Sequence, residues 1–274
     1  MAERIKALPL RAEIRRQLRR RRTQGIFTVI VALPLILIGA FALGSEENDS
    51  GARGFVDLAQ DSGANLVVFA LFASTSFLLI VVVALFAGDT VPSEASWSSL
   101  RYLLAAPVRR ERLLRQKLIV AGLFSVASLV LLPAWTLLVG GFAYGWGPYI
   151  GPTGDQIGWP EFGWRLVVIT GYLLVSLLVV ASFAFALGVW TDAPLAAVGG
   201  AVLLMILSAI LDSITALGGI RKGLPGHYAY AWADALSPTV DYSAMATGAL
   251  WSVGYGVVLI GLAVWHFLRK DITS

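Results

Sequence analysis

The chain contains no cysteine and only two histidines, His227 and His266. The first absence excludes disulfides, thiolate metal centres and cysteine nucleophiles. The second argues against a His-ligated metal centre. Charge is scarce as well, at 14% Asp, Glu, Lys and Arg, against about 25% in an average soluble domain. No GxxxxGK(S/T) phosphate loop, GxSxG elbow or HExxH pair occurs. Nothing in the chain therefore points to nucleotide hydrolysis, acyl transfer or metalloprotease chemistry of its own, and it is expected to be neither an enzyme nor the holder of a cofactor.

What is abundant is apolar. Hydrophobic residues make up 57% of the 274, and the mean hydropathy is +0.76. The net charge of +4 is no nucleic-acid signature, because the basic residues cluster beside apolar runs. The first apolar run follows a long basic tail and reads as a true span rather than a cleavable leader.

Six stretches are long enough to cross a hydrocarbon core, which takes about 20 residues. They lie near 25–44, 64–88, 118–142, 165–190, 195–218 and 245–268. The pattern predicts a single all-α membrane domain, residues 1–274, with both termini on one side. Basic residues set the orientation: nine in the first 25 residues, six in 89–117 and Arg269 and Lys270 at the end fall on one side. Only Arg53, Arg165, Arg221 and Lys222 fall on the other. The positive-inside rule puts both termini in the cytoplasm of a multi-pass plasma-membrane protein.

Outside, 45–63 is acidic, and 142–164 is rich in Gly, Pro and the aromatics that favour membrane interfaces. Segment 219–244 is too polar to span and reads as re-entrant or interfacial. The Ala184-x-x-x-Gly188 spacing allows close helix packing but is common by chance in a chain with 28 glycines. The Asn48-Asp49-Ser50 acceptor pattern also reads as chance. Asp212 is the clearest acid at membrane depth. It is expected near the outer end of its span, reaching water or bonding to Ser208 or Thr215, with a part in a polar pathway as the sharper alternative.

Two segments carry amphipathic character at the cytoplasmic face. In 8–24, Leu10, Ile14 and Leu18 share a stripe surrounded by Arg11, Arg15 and Arg19, which suits a helix on an anionic leaflet; a solvated tail that only sets topology is the alternative. In 89–117, Asp89 and Thr90 end a span and Pro92 breaks the chain. Ser93 is a good N-cap, and Glu94 suits the first turn of a helix. Trp97, Leu100 and Leu104 share a face, and Pro107 stops the helix by restricting Ala106. Glu111 and Arg115 then pair at i, i+4 among Arg109, Arg110 and Arg112.

The run from Glu94 through Ser98-Ser99-Leu100, Leu103-Leu104, Pro107-Val108 and Arg110 to Leu113-Leu114 and Lys117 resembles the cytoplasmic loop of type-2 ABC-transporter permeases. The basic N-terminal helix, the six spans, the membrane-hugging segment before the last span and Phe267-Leu268-Arg269-Lys270-Asp271 extend the likeness over nearly the whole chain. It departs at Ser98-Ser99, where that family usually has Gly-Thr. The resemblance implies that a loop helix bearing Glu94, Trp97, Ser98, Leu100, Arg101, Leu104, Pro107 and Arg110 docks on a separate ATPase subunit. The interfacial helix (Arg11, Ile14, Arg15, Leu18, Arg19) would lie beside it. It further implies two ATPase subunits holding ATP and Mg, a second permease copy or a homologue, lipid contacts, and export of a hydrophobic or amphipathic drug, lipid or peptide. A loop merely resting on headgroups explains the arginines but not Glu94 or the Trp97 face. The rival class is an ATP-independent secondary transporter or channel, which calls for ionisable groups at mid-membrane and broken helices. An intramembrane enzyme would need a cluster of His, Asp or Glu near one leaflet.

Overall fold

The computed structural model describes residues 10–44, 54–89, 110–191 and 193–269. Almost all of them are helical. Helix α1 is Leu10–Leu18, and α2, Arg21–Leu43, follows after an extended Arg20. A short α3, Phe55–Gln60, leads into α4, Gly63–Thr75, and α5, Leu78–Gly88. Helix α6 is Arg110–Tyr144. A two-residue antiparallel ladder follows, β1 Tyr149–Ile150 on β2 Gln156–Ile157, with Tyr149 opposite Ile157. Then come α7, Trp159–Ser176, α8, Leu178–Thr191, and α9, Pro194–Ser213. Two 3-10 runs, Thr215–Gly223 and Ala231–Leu236, precede α10, Ser243–Arg269.

Among the described residues, five helical stretches are long and apolar enough to cross a membrane, or six if α4 and α5 count as one. Their outer faces carry bare apolar side chains such as Ile36, Val167, Leu203 and Val257. That surface is stable against lipid and not against water. The protein is thus an all-α, membrane-embedded chain.

Helix α8 is the axis of the bundle: α5, α9 and α10 pack around it. Ala184 is fully buried there, close to Gly88 of α5, which also abuts Ala197 of α9. The small-residue spacing at 184 and 188 is therefore used for packing, since Gly188 is buried too. On the other side α4 crosses α6 so tightly that a Cβ on Gly63 would lie 2.5 Å from the Gly141 nitrogen.

Two expectations need correction. The second span is not one rod: α4 and α5 meet at Ser76-Phe77 with a bend of 58°. The fourth, by contrast, runs as one 33-residue stretch, Trp159–Thr191, in which Leu177 between α7 and α8 keeps a right-handed helical conformation. The fifth span was expected to reach 218 but its helix stops at Ser213, where Ile214 turns extended (φ −83°, ψ 96°). The chain then reverses through Gly218, whose φ of +53° favours glycine. The segment after it folds back against α7 and α10 instead of continuing outward.

Candidate functional site: a basic collar and a strapped cavity

Of the loop residues expected to dock a partner, Glu94, Trp97, Ser98, Leu100, Arg101, Leu104 and Pro107 lie outside the described residues. Arg110 is the first residue of α6. The two ends of that loop are described, and both are tied to the N-terminal segment. Arg20 Nη1 donates to Asp89 Oδ2 at 3.2 Å, and Arg22 Nη1 to Oδ1 at 2.5 Å. At the other end Lys117 Nζ donates to Glu13 Oε1 at 2.8 Å, and Arg16 donates to the same oxygen at 2.9 Å. Asp89 and Lys117 are each buried. Helix α1 and its junction with α2 thus form a collar that holds the end of α5 and the N-terminal part of α6.

Of the expected hydrophobic stripe, Ile14 packs on the core while Leu10 and Leu18 stay exposed. Arg11, Arg15 and Arg19 are also exposed. Helix α1 therefore presents both its arginines and two leucines outward, a combination suited to a headgroup surface.

The two carboxylates respond to their settings in opposite directions. Burial alone would raise the Glu13 pKa, but Lys117 and then Arg16 hold it below the usual value of 4.5. Burial pushes Asp89 above 3.8 despite Arg22 and Arg20. The Glu13 contribution is therefore complete above about pH 4.5 and lost as pH falls through the lower folded value. Asp89 has the opposite sign, since the folded state binds its proton more tightly than the unfolded chain does. Lys117→Met is expected to cost about 2 kcal/mol by leaving a largely buried carboxylate with Arg16 as its remaining charge partner, with Glu13→Gln restoring part of the loss. Melting midpoints of purified protein should show the gap between wild type and Lys117→Met closing as pH falls below the usual carboxylate value of 4.5 and through the lowered folded one. A gap that persists in acid would remove Glu13 from the account.

The second site lies at the opposite end of the bundle, where α9 ends and α10 begins. A cavity of about 190 Å³ opens beside the bend of the second span, lined by Thr75 and Ser76 there and by Ser176 and Leu177 of the α7–α8 stretch. The strap of residues 224–230 closes it. Side chains from three helices hold this strap. Tyr172 of α7 donates its hydroxyl to Tyr228 O at 2.5 Å. Tyr255 of α10 donates to Gly223 O, and Ser208 of α9 accepts from Gly226 N at 2.8 Å. Ser252 of α10 donates to Ser176 O at 3.2 Å, capping a carbonyl at the α7–α8 junction.

Asp212 lines this cavity. Its Oδ1 accepts from Arg221 Nε at 3.3 Å and lies 2.5 Å from His227 Nδ1. The expected partners were wrong: Ser208 bonds the strap, and Asp212 is matched by two basic groups of the polar segment. Sequence reasoning also missed Arg165, which was assigned to the outer charge count. It is buried, donating to Ala235 O at 3.0 Å, to Ser237 O at 2.8 Å and to Glu161. It thereby clamps the second 3-10 run to α7. Glu13 was missed as well, although one of only two acids among nine basic residues in the first 25 is a signal.

A family model described as "Protein of unknown function (DUF2705)" matches residues 28–273. No curated protein matches the chain.

Proposed function

This chain belongs to the DUF2705 family, whose description carries no activity, and we propose from its own residues that it is the membrane subunit of an ATP-driven exporter. In this reading six spans cross the plasma membrane with both termini in the cytoplasm. The 89–117 loop is the coupling element. Two ATPase subunits, carrying ATP and Mg, bind below two permease chains, either identical or homologous. Closing of the ATPase pair displaces the loop and shifts the balance between inward-open and outward-open bundles. The path carries a hydrophobic or amphipathic cargo.

The observation that carries the reading is the collar. A loop that transmits force has to be anchored at both ends, and here Asp89 is pinned to the arginine-rich junction of α1 and α2, and Lys117 to Glu13 of α1. Displacing the loop therefore moves α2, α5 and α6 together. A loop that only set topology would need no such anchoring.

The test is co-expression with ABC-type ATPases of the source genome, followed by co-purification and ATPase assay. A cognate subunit should co-purify, and Glu94→Ala with Trp97→Ala should abolish the coupled activity. If no ATPase subunit is retained, or the double variant leaves the coupled activity unchanged, the exporter reading fails. Because the chain lacks cysteine, Asp49→Cys should react only from outside and Ser98→Cys only from inside. The reverse pattern overturns the topology.

A second reading, an ATP-independent transporter, is favoured by one specific observation: a span bends by 58° at a cavity that holds a paired carboxylate. It predicts transport in vesicles that contain no ATPase.

A further inference from the structure

The geometry points to the strapped cavity as a binding site for a substituted ammonium group, such as a quaternary amine or the ammonium end of an amphiphile. This rests on the cavity's own chemistry and not on coupling to an ATPase, which concerns the other end of the bundle.

The wall is aromatic. Tyr172, Tyr228, Tyr230, Trp251 and Tyr255 all line it, and Asp212 is an acid among them with no lysine or arginine on the lining. Arg221 reaches Asp212 from beyond the lining, 3.3 Å from Oδ1, and His227, on the lining itself, stands 2.5 Å from the same oxygen. Among the described residues, Oδ2 accepts no hydrogen bond. Ring faces and a carboxylate attract a cation, most strongly where water is scarce.

The hydroxyls sharpen the choice. Thr75, Ser176 and Ser252 direct their protons to the carbonyls of Leu71, Leu173 and Ser176. Tyr172 and Tyr255 direct theirs to Tyr228 O and Gly223 O. Those five hydroxyls are committed, although Ser76, His227, Tyr228, Tyr230 and Trp251 on the same lining also carry donors. A quaternary ammonium, which has no N–H to satisfy, loses nothing against the carboxylate and rings. Size agrees: a cavity of about 150 Å³ holds benzene, so 190 Å³ suits a headgroup of choline dimensions and excludes a whole lipid or peptide.

The chemistry could be presented by a free amine or by a phospholipid headgroup, and the experiment separates these. Full-length protein in an uncharged maltoside detergent is titrated calorimetrically with choline and with its neutral isostere 3,3-dimethylbutan-1-ol. Saturable choline binding is expected, with the isostere about tenfold weaker or worse. Asp212→Asn should cost choline about tenfold, and Trp251→Leu about threefold or more, while leaving isostere binding nearly unchanged. Equal affinity for the two probes, or choline affinity unaltered in both variants, overturns the assignment. Should Asp212→Asn fail to fold, the wild-type comparison of choline with its isostere still decides. Repeating the titration in phosphatidylcholine nanodiscs assigns the source. Weakened choline binding there identifies the lipid headgroup, and unchanged binding identifies a free ammonium compound. Loss of ATPase co-purification would sink the exporter reading without touching this one.

Discussion

Arg165→Met is expected to lower stability by about 3 kcal/mol and to release the second 3-10 run, which continues the strap. The guanidinium is almost fully enclosed, and it supplies the donors for the carbonyls of Ala235 and Ser237. A methionine of similar length fills much of the space but leaves both carbonyls without that partner. Each such loss costs about 1–3 kcal/mol. Trp232, fully buried with its ring centroid 4.4 Å from that of Phe72, lies in the same clamped 3-10 run. Arg165→Lys should recover only part of the loss, because a single ammonium does not reproduce the fork that reaches two carbonyls and Glu161 at once. Hydrogen exchange over residues 230–237 should accelerate far more than over α8. Uniform acceleration would mean that Arg165 serves general packing rather than this run.

Gly63→Val should have an effect at least as large, through the opposite cause. A side chain at 63 meets backbone: Gly141 N at 2.5 Å and Gly140 C at 2.9 Å from its first carbon. Backbone atoms cannot rotate away, so α4 and α6 must separate. Overpacking of ordinary cores costs about 1–3 kcal/mol, and a contact against main chain belongs at or above the top of that range. The Ser62–Asn65 corner would go with it. Ser62 Oγ donates to Pro148 O, and the Asn65 amide pairs both ways with Ile150, at 2.7 and 2.9 Å. Gly261→Ala is the control: it sits in α10 with nothing within 4 Å and should be neutral or slightly stabilising. The yield of monodisperse protein and its melting midpoint distinguish the two. A well-behaved Gly63→Val would mean the crossing is looser than described.

The spans were legible because lipid imposes a length: about 20 apolar residues in a row have few other uses. The bend in the second was not. Sequence reasoning looks for proline, yet Pro34 and Pro133 lie inside continuous helices. Near the turn that Pro34 opens, the Trp135 indole donates to Val31 O at 3.0 Å. The actual break falls at Ser76-Phe77, residues with no strong aversion to helix. The partners of Asp212 were hidden as well. Arg221 and His227 stand nine and fifteen positions away and come close only because the chain reverses at Ile214 and Gly218. A helical continuation to 218, the natural extrapolation of the apolar run, carries them away. The collar was half legible. Charge counting found the basic residues and the polar loop, but pairing Arg20 and Arg22 with Asp89 requires knowing that α2 and α5 end side by side.

The position of the bend matters for how the molecule can deform. A helix is stiff along its length, so a bundle of unbroken rods moves mainly by sliding or tilting whole rods. Here one neighbour of the small cavity is jointed at its depth, because Thr75 and Ser76 at the 58° bend line it. The half beyond the bend, α5, has its far end riveted by Asp89 and its two arginines. The joint therefore leaves α4 as the half that can turn while α5 stays fixed.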